Sequence, residues 1–166
     1  MKLRGVEKQF WWHFGRITDS KNIPTEIPGY TSIDSENDDQ ELALLIDKIK
    51  IIHSIYLKDT ETTDEGVKWI GQVQQLKHLT LMKHPNITKE SLPYLNKLTD
   101  LEYLDIWRTK IGMEDLVALT NLKKLKELHV SPNREDADNP DAILEKVIEI
   151  ESLFPGCEIY VDHRRY

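Results

Sequence analysis

The chain has one cysteine, Cys157, among 166 residues. A lone thiol closes no internal disulfide and anchors no cysteine-rich metal site. Long apolar runs are lacking too, since the longest, Leu42 to Ile46, is far too short to cross a bilayer. The stretch MKLRGVEKQFWWHF has neither the apolar centre nor the small-residue cleavage site of a secretory signal. There is no Gly-rich phosphate loop, no nucleophile elbow, and no H-x-x-x-H or C-x-x-C pair. These absences give the expectation of a cytoplasmic protein without cofactor or metal, held away from membranes.

Positive charge is also short, with 22 Lys and Arg against 29 Asp and Glu. Between Asp34 and Glu65 lie ten acidic residues against Lys48, Lys50 and Lys58, so this segment carries the whole net charge of −7. A nucleic-acid backbone is therefore a poor partner, and a basic protein surface a better one. The alternative for the segment is a solvated acidic helix and loop that serve solubility.

What the chain does have is self-similarity. Four segments share the pattern L-x-x-L-x-L: Ile52-Ile55-Leu57, Leu76-Leu79-Leu81, Leu101-Leu104-Ile106 and Leu125-Leu128-Val130. Their central members lie at 55, 79, 104 and 128. Between them run apolar residues at every third position: Val67, Ile70, Val73; Leu92, Leu95, Leu98; and Leu116, Leu119, Leu122. Alternation at the end of the pattern has the period of a strand with one buried face. The spacing of three predicts a helix lying along a core, because residues three and four apart share a face. Thr62 with Glu65 reads as a capping box, and Thr88 as a cap for the next helix.

On these residues the chain resembles the leucine-rich-repeat family, in the helix-bearing variety of ribonuclease-inhibitor-like proteins. The stretch Ile87-Thr88-Lys89-Glu90-Ser91-Leu92, with Leu95, Leu98, Leu101, Leu104 and Ile106, carries the likeness best, which covers roughly residues 42 to 131. Thr62 stands where that family usually has Ile, and His84 where it has Asn or Cys. The resemblance implies an α/β fold: a curved right-handed solenoid, parallel sheet on the concave side, helices on the convex side. Terminal units of such proteins need covers.

The ends are read accordingly, as parts of one structural domain. Residues 1–34 form an N-terminal cap, 35–131 the repeats, and 132–166 a modified last repeat and cap. Phe10, Trp12 and Phe14 alternate with Trp11 and His13, which predicts a strand of unusual bulk. This terminal region either caps the open end or lies across the concave face. Asp39 to Ile49 reads as a helix, and Tyr30 to Ile33 as a short strand. Asn139-Pro140 opens a helix bearing Ile143, Val147, Ile150 and Phe154, and Phe154 to Val161 reads as a final strand.

The expected concave rows are Ser54, Tyr56, Lys58; His78, Thr80, Met82; Tyr103, Asp105, Trp107; and Glu127, His129, Ser131. Candidate partner-binding residues are Tyr56, Lys58, His78, Met82, Tyr103, Asp105, Trp107, Arg108 and His129. Large aromatics on a solvent-facing sheet cost solubility and are enriched at binding hot spots. The alternative is that a terminal extension covers them. His78 and His129 fall ~12 Å apart by sheet geometry, too far to share one zinc ion. Cys157 reads as a buried strand residue, since Gly156 and Glu158 give it no activating base. The expectation is a non-catalytic, monomeric protein-binding module, possessing the features of a dedicated inhibitor or immunity protein against a basic partner. A structural or self-associating role is the alternative.

Overall fold

The computed structural model describes residues 1–166. Chain order runs α1 (Gly5–Gly15), β1 (Glu26–Ile27), β2 (Tyr30–Ile33), α2 (Asp39–Lys48), β3 (Ile51–Ile52), β4 (Ser54–Lys58) and α3 (Asp64–Ile70). It continues with β5 (His78–Met82), α4 (Leu92–Leu95), β6 (Tyr103–Asp105), β7 (Glu127–Val130), α5 (Pro140–Leu153), β8 (Glu158–Val161) and β9 (Arg164–Arg165). Short 3-10 turns occupy Ser20–Asn22, Lys89–Ser91 and Met113–Ala118.

The structure corrects the expected fold class, the right-handed leucine-rich-repeat solenoid with a parallel sheet on the concave side, helices on the convex side and a cap at each end. It is a mixed α/β arrangement with a seven-stranded sheet, ordered β2-β4-β5-β6-β7-β8-β9, and a separate two-stranded sheet of β1 and β3. The large sheet is parallel until its last pair, β8 and β9, which is antiparallel. The segments between its strands are unequal. After β4 comes a seven-residue α-helix, after β5 a 3-10 turn and a four-residue helix, and after β6 only a 3-10 turn. The apolar step of three that all three segments share fits either form, the 3.0 residues per turn of a 3-10 helix or the 3.6 of an α-helix.

Strand and helical segments meet in one core of 39 buried apolar residues, reaching from Leu3 to Val161. Ile55, Leu57, Leu79, Leu81, Leu104, Leu128 and Ile159 face it from the sheet. Val67, Ile70, Leu95, Leu116, Val147 and Ile150 close it from the other side.

The strand expected at Phe10 to Phe14 is instead helix α1. Phe10, Trp11 and Phe14 fall at positions i, i+1 and i+4, one helical face, and their rings pack edge-on and stacked together. Trp11 is fully buried, while Trp12 and His13 point outward. The helix ends at Arg16, whose left-handed φ of 54° lets its N–H return to the Trp12 carbonyl. Helix α1 packs on α2, and Phe14 stacks on Tyr30. The terminal region therefore sits at the end of the sheet, not across its outer face.

A third correction concerns the start of α3. Its cap is Thr63, whose hydroxyl accepts from the Glu65 N–H, and not Thr62, which is buried and bonded to Thr60. A carboxylate ties each such turn to the one before. Asp39 accepts from the N–H and hydroxyl of Thr63, and Asp64 accepts from the same two groups of Thr88. Gly66 leaves room for this link, since a Cβ there would collide with the Asp39 carboxylate.

Candidate functional site

Alternation along each strand puts one set of side chains in the core and the other on the outer face. Register then sets the neighbours. Ser54, His78, Tyr103, Glu127 and Glu158 form one line across the strands, and Thr31, Tyr56, Thr80, Asp105, His129 and Tyr160 the next. Ile33, Lys58 and Met82 begin a third.

The rings on this face form a connected row. Tyr103 sits between two histidines, with centroid separations of 6.2 Å to His78 and 5.4 Å to His129. His129 in turn stacks on Tyr160 at 4.5 Å, with an interplanar angle of 3°. The Nε2–H of His129 donates to Glu127 at 2.7 Å, and the Tyr160 hydroxyl donates to Glu158 at 3.1 Å. Glu158 also pairs with Arg165 at 2.7 Å. The row is therefore braced by carboxylates at its β7–β8 end.

Asp105 lies under this layer and is only 3 % exposed. Its carboxylate accepts the Trp107 N–H at 2.9 Å, which turns the chain so that the indole leaves the sheet. Burial pushes the Asp105 carboxyl above its ordinary range, against the pull of the Trp107 N–H and of His129 and His163. Burial likewise pushes the Tyr103 phenol up to about 12, helped by Asp105 and Glu127. Both phenols of the row stay protonated at neutral pH, Tyr160 being raised first by its bond to Glu158.

Trp107 is held from two sides. Its Nε1–H donates to Asp162 at 2.8 Å, and its ring lies 4.3 Å from that of His163. The Arg108 guanidinium sits 4.3 Å over the same indole. Arg108 reaches that position because its φ of 58° bends the chain off the strand end. Asp34, Asp59 and Lys83 make the same left-handed bend after β2, β4 and β5; the Asp34 and Asp59 N–H groups donate to the last residues of β4 and β5, and the Lys83 N–H to the Trp107 carbonyl just beyond β6. Tyr56 and Met82 touch through hydroxyl and sulfur at 3.8 Å.

Of the residues expected from sequence, Tyr103, His129 and His78 come together in the ring row, with Asp105 beneath and Trp107 with Arg108 at its rim. Tyr56 and Met82 form a smaller contact toward β4. Lys58, half-buried, lies between Ile33 and Met82 in register, and makes no ion pair. Sequence reasoning missed Tyr160, Asp162 and His163. The signal was present in Glu158-Ile159-Tyr160-Val161, whose alternation continues the rows, but the polar insertion from Pro132 to Asp138 hid its register. The antiparallel return to β9 was hidden as well. It turns on Asp162 and His163, both at positive φ, the backbone of a tight two-residue hairpin.

His84, which follows β5, is fully buried, and its Nε2 accepts from both the N–H and the hydroxyl of Thr60. Cys157 is buried beside Glu127 and Glu158, and burial first of all pushes its thiol up to about 12. No three His, Cys, Asp or Glu side chains gather as a metal-binding group. No helix is long and apolar enough to cross a membrane. No family model matches the chain and no curated protein matches it.

Proposed function

We propose that this protein is a non-catalytic binding module that recognises a protein partner through the outer face of its sheet. The observation that carries the reading is the ring row His78–Tyr103–His129–Tyr160, flanked by the Trp107–Arg108 pair and left uncovered by either terminal helix. Preorganised rings lose little conformational entropy on binding, and aromatics with Arg dominate the energetics of protein interfaces. Buried Asp105 and the braced histidine ring fix these groups in place before any partner arrives. The thiol of Cys157, raised far from the reactive range, argues against a cysteine nucleophile. A dedicated inhibitor or immunity role, in the cytoplasm and against a basic partner, is the narrower form of the reading. It rests on the acidic segment from Asp34 to Glu65.

The test is photocrosslinking in cells, with a benzophenone amino acid at position 103 or, on the other side of the molecule, at position 144. One protein crosslinked at 103 and absent at 144 is the expected result. Crosslinks confined to 144, or none at 103, would reject the sheet face as the site.

Self-association is the second reading, and a separate feature favours it. Leu144 and Ile148 lie one turn apart on α5 and are 48 % and 57 % exposed. Val117, on the 3-10 turn packed against α5, is 59 % exposed. Sedimentation velocity separates the readings: a monomer at all concentrations removes the second, and a dimer lost on Ile148→Lys establishes it.

A further inference from the structure

A groove of about 920 Å³ opens between α1, α2 and the edge of the sheet. One wall of it is β2, which pairs with β4 alone and so ends the seven-stranded sheet. The Asp34 N–H donates to the Lys58 carbonyl. In a parallel ladder alternate residues bond to the same side, so Tyr30 and Ser32 also face β4. Thr31 and Ile33 then turn their N–H and C=O groups to the open side, and neither bonds any backbone beyond the ladder. Both residues are exposed. An unpaired edge of this kind is a template for another strand unless the protein blocks it.

The lining says what kind of strand fits. Phe10, Phe14 and Tyr30 give it an aromatic floor, and Glu36 and Glu41 stand in it without an ion pair or hydrogen bond. Asp38 also lines it, but its carboxylate is spent on the N–H groups of Gln40 and Glu41. No Lys or Arg lines the groove, and His13 is its one basic group. The Glu41 carboxyl is raised by burial first and by Asp38 second, with His13 pulling the other way.

We propose that this groove docks an extended, basic segment of a partner protein, which adds to β2 as a further strand and sets Lys or Arg side chains against Glu36 and Glu41. Main-chain pairing supplies the binding and the carboxylates select the charge, as in other strand-addition interfaces. The site is separate from the ring row, and its test uses a peptide alone, so its failure leaves the sheet-face reading standing.

The probe is a short labelled peptide of alternating Lys and Val, titrated into the whole chain, beside its Glu-Val counterpart and a copy N-methylated at alternate residues. Saturable binding of the Lys-Val peptide is expected, weakened at least about tenfold by Glu36→Gln/Glu41→Gln and by N-methylation, with no binding of the Glu-Val peptide. Hydrogen exchange at the Thr31 and Ile33 amides is expected to slow when the Lys-Val peptide is present. Equal binding of both charges, equal binding by the variant, or unchanged exchange at those two amides would overturn the proposal. So would a dimer of the chain alone that protects the same amides, since a second copy would then occupy the edge.

Discussion

His84 and Asp105 are both buried polar side chains, yet burial moves their proton equilibria to opposite effect on stability. The His84 imidazole is lowered from 6.5 by burial, so the folded protein holds it neutral. An unfolded chain takes up a proton below that value while the folded one does not. His84 thus contributes stability that is present above about pH 6.5 and lost as pH falls toward the folded value. Asp105 is raised, so its contribution is present below the ordinary carboxylate range and lost as pH rises through the folded value. As pH falls from about 7.5 to about 5.5 the His84 contribution therefore begins to be lost. Urea unfolding at those two pH values should show a larger loss for wild type than for His84→Asn. Equal losses would mean that His84 is protonated in the folded state. His84 was singled out in the sequence as standing where the repeat pattern has Asn or Cys. The burial of Asp105 was not legible, since alternation alone puts it outward.

At the scale of elements, strands were easier to read than the segments joining them. The pattern L-x-x-L-x-L marks β4, β5, β6 and β7 because a period of two has no helical counterpart. A period of three does not separate an α-helix from a 3-10 turn, and two of the three connecting segments took the tighter form. The N-terminal aromatics misled for a related reason: Phe10, Trp12 and Phe14 alternate, but Phe10, Trp11 and Phe14 also share a helical face, and that face had a core to join. Gly66 in α3 tests the packing account against helix propensity. Alanine is favoured over glycine inside a helix by roughly 1 kcal/mol. Here the added methyl also meets Thr62 at 2.8 Å and Leu42 at 3.0 Å, besides the Asp39 carboxylate. Gly66→Ala is expected to lower the melting temperature, followed by circular dichroism; a rise would show that α3 shifts freely away from α2.

For the whole molecule, one core runs unbroken from Leu3 to Val161, so the ends should unfold with the middle. Tryptophan fluorescence, reporting Trp11 and Trp12 in α1, Trp69 in α3 and Trp107 after β6, should follow the same denaturant curve as circular dichroism. Two separated transitions would show that residues near the N-terminus fold on their own. The same continuity makes the ring row a rigid surface built from four strands distant in sequence. Three of its four rings, His78, Tyr103 and His129, were legible in the regular segments. The rest, Tyr160 with Asp162 and His163, depends on how β8 returns beside β7 after the polar insertion. The central claim is that this row binds a protein, and calorimetric titration tests it most directly, using the purified protein crosslinked at position 103. Wild type is expected to bind it one to one, and Tyr103→Ala/Tyr160→Ala to bind at least about tenfold more weakly, the loss of about 1.4 kcal/mol or more that hot-spot rings carry. Unchanged affinity in the double variant, with its fold intact by circular dichroism, would contradict the account.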